Sequence, residues 1–177
     1  HEYRKALVHL EQSLSLMQRI NDSLGIALAH SELGNIYLQT QDYKSASVHL
    51  MRAAIMLEEG HIEIGLLKAM NRVGKLLIET ERYDMAISHL VDNLQQAQKI
   101  NARPSVLEAY ALLSEVYQKK EDYKNAFEYN QSYTQLKDSI INMQKSEQIA
   151  SLQVKYNAKS QQLELEEFKN KDNIQGL

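Results

Sequence analysis

The chain has 177 residues, a formal net charge of -3 at pH 7 and no cysteine. Disulfides, thiol catalysis and thiolate zinc sites are therefore excluded, and no positive field is present to attract phosphate backbones or an anionic membrane surface. One proline and six glycines leave a helical backbone few interruptions, and no apolar run approaches the roughly 20 residues of a membrane-spanning helix.

In chain order, the first segment carries Tyr3, Ala6 and Leu10, and this pattern returns forty residues later as Tyr43, Ala46 and Leu50, then as Tyr83, Ala86 and Leu90. The fourth copy keeps Tyr123 and Ala126 but places Asn130 where leucine is expected. A second pattern precedes each later copy: Leu33-Gly34 with Tyr37, Val73-Gly74 with Leu77, and Leu113-Ser114 with Tyr117. Apolar residues within each half recur at three and four, which is the spacing of one buried helical stripe. Small residues at 34, 74 and 114, and alanines on the second half, let two helices approach closely.

Each unit is thus a helix hairpin. Gln41-Asp42, Glu81-Arg82 and Glu121-Asp122 supply the polar break between its halves, while Asn21-Asp22-Ser23 and Arg103-Pro104-Ser105 carry capping and first-turn residues where new units begin. Helices of about 16 to 18 residues follow from this spacing. The predicted fold is all-α, a helix-hairpin solenoid over residues 1–137 (the second helix of one repeat plus three full repeats), followed by a long helix over 138–177.

SELGNIYLQTQDYKSASVHL, residues 31–50, resembles the tetratricopeptide repeat in its aromatic, Leu-Gly, Tyr and Ala positions. The longer period and the missing closing proline are similar to the forty-residue subclass. The resemblance implies a right-handed superhelix whose first helices line a concave groove, protein or peptide partners, and no catalytic site or cofactor in this region.

From Lys137 to about Asn173 there is neither Gly nor Pro, and the segment is rich in Gln, Glu, Lys and Leu. Ile149, Leu152, Tyr156 and Leu163 follow a heptad stripe suited to self-association, interrupted by Lys159 and Glu166 on seam positions. The other reading is a solvated or capping helix. Residues 133–168 are similar to the segment joining tetratricopeptide arrays to a transmembrane helix in bacterial sensor histidine kinases and related membrane-bound regulators, through Leu136-Lys137-Asp138-Ser139, Gln148 to Leu152, and Lys155-Tyr156. That resemblance implies an extracytoplasmic input domain of a two-component signalling protein. A cytoplasmic adaptor and a structural scaffold are the alternatives.

Three of the six histidines, His9, His49 and His89, share the forty-residue period. Equivalent positions in stacked repeats lie on the order of 10 Å apart, too far to converge within about 2.1 Å of one zinc ion, so no metal site is expected. Glu58-Glu59 and Glu166-Glu167 are adjacent on helices and point apart, and no nucleophile sits on a tight Gly-flanked turn. No catalytic residue is expected.

The groove carries the candidate partner site. Lys68, Arg72 and Lys75 share one helix face with Asn71 beside them, and Asn35 occupies the preceding unit. Two or more cations and amides in a concave site can bind a carboxylate and hold a peptide backbone. Lys68, Arg72 and Asn35 also resemble part of the carboxylate clamp of tetratricopeptide domains, although the fourth unit departs from it with Glu108, Ala111 and Glu115. The alternative is a solvated face neutralised by Glu32 and Glu79.

Overall fold

The computed structural model describes the backbone of residues 2–175 and the side chains of residues 3–163. The described backbone forms α1 (Glu2–Arg19), α2 (Ser23–Gln39), α3 (Tyr43–Glu59), α4 (Glu63–Glu79), α5 (Tyr83–Lys99), α6 (Arg103–Lys119) and α7 (Tyr123–Gln175). The chain divides into two compact units, residues 1–133 and 134–177, with α7 running through the boundary. The repeat is the first unit.

Helices α2 to α6 are each 17 residues long and are joined by three-residue connections, so the forty-residue period is two equal halves. The middle residue of every connection is left-handed: Asn21, Gln41, His61, Glu81, Asn101 and Glu121 have φ between 54° and 62°. Around each one, two backbone bonds close the preceding helix. Glu81 N donates to Ile78 O at 3.1 Å and Arg82 N to Leu77 O at 2.8 Å, the 5→2 and 6→1 pair that satisfies orphan carbonyls at a helix end. Asp22, Asp42 and Asp122 then cap the next helix, accepting from Gly25 N, Ser45 N and Asn125 N, whereas Ile62, Arg82 and Ala102 make no side-chain cap.

The hairpins close over one contact. A Cβ on Gly34 would stand 2.6 Å from Leu50 Cγ, and one on Gly74 would stand 2.7 Å from Leu90 Cγ, so only glycine permits these approaches without displacement. Leu50 and Leu90 are fully buried, each contributing about 1.5–3 kcal/mol. Ala46 and Ala86 are fully buried beside them, as the repeat predicts, and Ala126 nearly so. In the last hairpin the pairing changes: Ser114 Oγ donates to the Ala126 carbonyl at 2.9 Å, and Asn130 is exposed.

Between hairpins, α4 packs into the α2–α3 pair. Leu38, Ala46, Leu50 and Leu76 form one cluster with Tyr37, Tyr43 and Val73, and Ala27, Ala53, Leu57 and Ala69 form another. The first helices also touch one another, α2 with α4 and α4 with α6, while among the described residues α3 approaches neither α1 nor α5 within 8 Å between Cα atoms. The stack is therefore tighter on the side of α2, α4 and α6. This makes it the inner face of the first unit.

Candidate functional site

On the inner face, side chains from α4 reach across to both neighbours. Arg72 Nη1 donates to Ser31 Oγ at 2.6 Å, and Nη2 pairs with Glu32 Oε1 at 2.6 Å, joining α4 to α2. Lys75 Nζ lies 2.7 Å and 2.9 Å from the two carboxylate oxygens of Glu115 on α6, and 2.9 Å from Glu79 one turn along its own helix. Arg72 with Glu32, and Lys75 with Glu115, are each separated by one repeat. Long side chains at equivalent positions thus bridge adjacent first helices.

The electrostatics follow from these distances. Burial opposes the Lys75 ammonium, but its hydrogen bonds to Glu115 and Glu79 outweigh burial and hold its pKa above the ordinary lysine value. Glu79 is held below the usual carboxylate range, first by the hydrogen bond from Lys75, against an opposing effect of burial, and further by the charges of Lys75 and Lys119 and a bond from Tyr43. Glu32 and Glu79, which the sequence offers as neutralising neighbours, are two of the three carboxylates that pair with these cations, and Glu115 is the third.

The other candidates separate. Asn35 and Lys75 line one cleft of about 310 Å³ with Leu38, Gln39, Gln41, Tyr43 and Glu79. Lys68 is exposed near the start of the same helix. Asn71 lies behind the face, fully buried: its amide nitrogen donates to Ser105 O at 2.9 Å and to Glu108 Oε2 at 3.1 Å, and its oxygen accepts from Asn93 Nδ2 at 2.7 Å. Asn93 also donates to Leu67 O at 3.0 Å. Asn71 therefore ties α4, α5 and α6 together, a role the face pattern alone does not suggest. Its signal is a double departure from the repeat, since the equivalents of Asn71 are the small Ser31 and Ala111, and Ala53 stands where Asn93 is.

Two of the periodic histidines, His49 and His89, pack between the helices of their hairpins, while His9 is exposed on α1. His49 Nδ1 is 2.9 Å from His30 Nδ1, with the Tyr37 ring 5.3 Å away between centroids. His89 Nε2 donates to Met70 O at 2.9 Å, and Tyr129 stacks on Tyr117 at the fourth equivalent position. Among the described residues, no three His, Cys, Asp or Glu side chains gather in a metal-holding group. Ile149, Leu152, Tyr156 and Leu163 are all exposed on α7.

Residues 65–139 match the family model of the tetratricopeptide repeat. No curated protein sequence matches. Among solved structures, the chain is similar to aspartyl phosphate phosphatase F from Bacillus subtilis, with 19% identity, a TM-score of 0.61, and coverage of 67% of this chain and 31% of that one. It is similar to the TPR domain of Arabidopsis FLU, with 18% identity, a TM-score of 0.60, and coverage of 67% and 98%. The apo form of RapI gives 18% identity, a TM-score of 0.55, and coverage of 80% and 64%. The chain spans about a third of the phosphatase's length, and at these identities the likeness is one of fold. Residues 65–139 thus carry tetratricopeptide repeats, within an all-α helical-repeat fold like that of these solved structures.

Proposed function

We propose that the inner face of α2, α4 and α6 binds an extended segment of a partner protein, with Asn35, Lys68, Arg72 and Lys75 in contact and Asn71 fixing the helices behind them. The observation that carries this reading is the paired state of Arg72 and Lys75. Each cation is oriented across the face by a carboxylate, Glu32 or Glu115, in a partly exposed pair worth about 1 kcal/mol or less. An acidic side chain or C-terminal carboxylate of the partner can therefore replace that carboxylate at little cost and gain a bidentate contact with the Arg72 guanidinium. Asn35 and Tyr43 in the adjoining cleft supply polar groups for its backbone.

The test is a library of immobilised decapeptides with free and amidated C termini, probed with the parent and with Arg72→Glu at matched thermal stability. The parent should select peptides bearing carboxylates, more weakly as salt rises, and Arg72→Glu should lose that selection. Equal selection by both proteins would remove the site.

A finer proposal is that this region is the extracytoplasmic input domain of a bacterial membrane-anchored signalling protein such as a two-component histidine kinase, with Ile149, Leu152, Tyr156 and Leu163 pairing two copies. What supports it is the resemblance over residues 133–168, together with the uninterrupted α7 that contains that segment. No described helix is itself long and apolar enough to cross a membrane. A hydrophobic span shortly after Leu177 in the full reading frame is the expected finding. Its absence would favour a freestanding cytoplasmic adaptor.

A further inference from the structure

Aligning the second helices by the forty-residue register isolates a feature of α3. Val48, Met51 and Ile55 are all about half exposed, at 47%, 56% and 49%. The equivalent triplets are Val8, Glu11 and Ser15 on α1, Ser88, Val91 and Gln95 on α5, and Glu128, Gln131 and Gln135 on α7. Packing within the repeat therefore does not require apolar residues at these positions, because each of the other units carries polar residues at two or more of them. Of these four triplets, that of α3 alone consists of three large apolar side chains.

The line extends at both ends. Lys44, Val48, Met51, Ile55 and Glu58 are spaced four, three, four and three, and all five are exposed. At about 100° per residue they fall within an arc of roughly 80°, opposite the buried residues Ala46, Leu50, Ala53 and Leu57. This is the spacing of a two-helix seam, which requires residues every 3.5 positions. Neither α1 nor α5 approaches α3 within 8 Å between Cα atoms among the described residues, so the stripe is not closed off by its neighbours.

Its charges decide what can lie on it. The stripe is positive at the α3 N-terminal end and negative at the C-terminal end, with Met51 midway between Lys44 and Glu58. An identical helix laid antiparallel about a two-fold axis at Met51 sets Lys44 against the second copy's Glu58 and Glu58 against the second copy's Lys44. Val48 then meets the second copy's Ile55 within one residue, and the two Met51 side chains meet on the axis. A parallel pairing would instead oppose like charges at both ends. We propose that the α3 stripe is a self-complementary surface through which two copies of this chain associate antiparallel, α3 against α3. Three apolar residues per copy fall short of the roughly 800 Å² per partner of a stable interface, so the association belongs to the weak, concentration-dependent class.

The experiment is sedimentation equilibrium of the full chain at up to about 1 mM, the weak limit of specific contacts. The parent should show a monomer–dimer equilibrium. Met51→Glu, which places two carboxylates on the axis, should raise the dissociation constant at least about tenfold. Lys44→Glu and Glu58→Lys should each weaken the dimer, and the double swap should restore it to near the parent value, which only a self-complementary antiparallel contact requires. Thermal melts of each variant check that the exposed substitutions leave the fold intact. A parent that stays monomeric throughout overturns the proposal and returns the stripe to a different protein partner. A dimer that survives Met51→Glu but dissociates with Leu152→Glu belongs to α7 and overturns it equally, as does a double swap that fails to restore association.

Discussion

Hairpins α2–α3 and α4–α5 share one frame and fill it with different chemistry. Both close a glycine onto a fully buried leucine, Gly34 on Leu50 and Gly74 on Leu90, and both bury the alanine that precedes that leucine by four residues. In the first hairpin the space beyond the frame holds Ala53 and the His30–His49 pair. In the second the equivalent space holds Asn93 bonded to Asn71, with His89 donating to the Met70 carbonyl. The repeated positions make the hairpin, and positions that break the repeat give each hairpin its own chemistry. Ion pairs on the inner face and the apolar stripe on α3 belong to this second set.

The largest contrast should come from Asn71. Asn71→Ala removes a donor to the Ser105 carbonyl and an acceptor for Asn93 in a fully buried site, and should cost about 2 to 3 kcal/mol. The equivalent Ser31→Ala loses one bond from the partly exposed Arg72 and should cost about 1 kcal/mol or less. Denaturant unfolding of the two variants checks this, and equal losses would mean that Asn71 does not hold α4, α5 and α6 together.

A smaller contrast lies in pH dependence. Burial lowers the pKa of His30, reinforced by the charges of His49 and Arg52. His49 is likewise lowered by burial and by Arg52, with Glu11 opposing. Two ring nitrogens 2.9 Å apart need one donor and one acceptor, so the pair cannot take up two protons and keep the contact. Both folded pKa values lie below the ordinary 6.5, so the unfolded chain binds more protons as pH falls past that value. The stabilisation is full above 6.5 and lost as pH drops through the lowered values. Replacing His30 with the residue of the second hairpin, His30→Met, should make the melting temperature fall less between about pH 7 and pH 5 than in the parent. Parallel curves would show that the pair does not carry the difference.

The smallest effect concerns what the hairpins have in common. Glu81 is a non-glycine residue at φ 59°, a conformation that costs an L-residue about 1 kcal/mol. Glu81→Gly should therefore stabilise by about 0.5 to 1 kcal/mol in thermal melts, and a loss of stability would place a side-chain role at that turn.

How legible the structure is in the sequence depends on whether a feature repeats. Gly34, Gly74, Ala46 and Ala86 are legible because each recurs at a fixed distance from its partner, and the Lys75–Glu79 pair is legible from a four-residue helical spacing. The left-handed turns are not. Their residues are Asn, Gln, His and Glu, and the one glycine beside such a turn, Gly60, has φ -79° while His61 takes the left-handed position. Helical spacing places Asn71 next to Arg72 and Lys75 and so predicts a groove-facing side chain. Burial there depends on how closely α6 approaches, which no spacing within α4 encodes. The pairing of Arg72 with Glu32 and of Lys75 with Glu115 needs the stacking register, which sets equivalent side chains opposite one another.

The central claim is that the inner face recognises a partner through cations whose present carboxylates are replaceable, and a charge swap tests it most directly. Glu32→Arg combined with Arg72→Glu keeps an ion pair between α2 and α4 while moving the guanidinium to the neighbouring helix. Stability by thermal melt should stay within about 1 kcal/mol of the parent, because a partly exposed pair contributes no more than that. Binding to the carboxylate-bearing decapeptides selected by the parent should fall at least about tenfold, because the bidentate donor no longer stands where the partner's carboxylate arrives. Unchanged affinity in a swapped protein of parental stability would contradict the account.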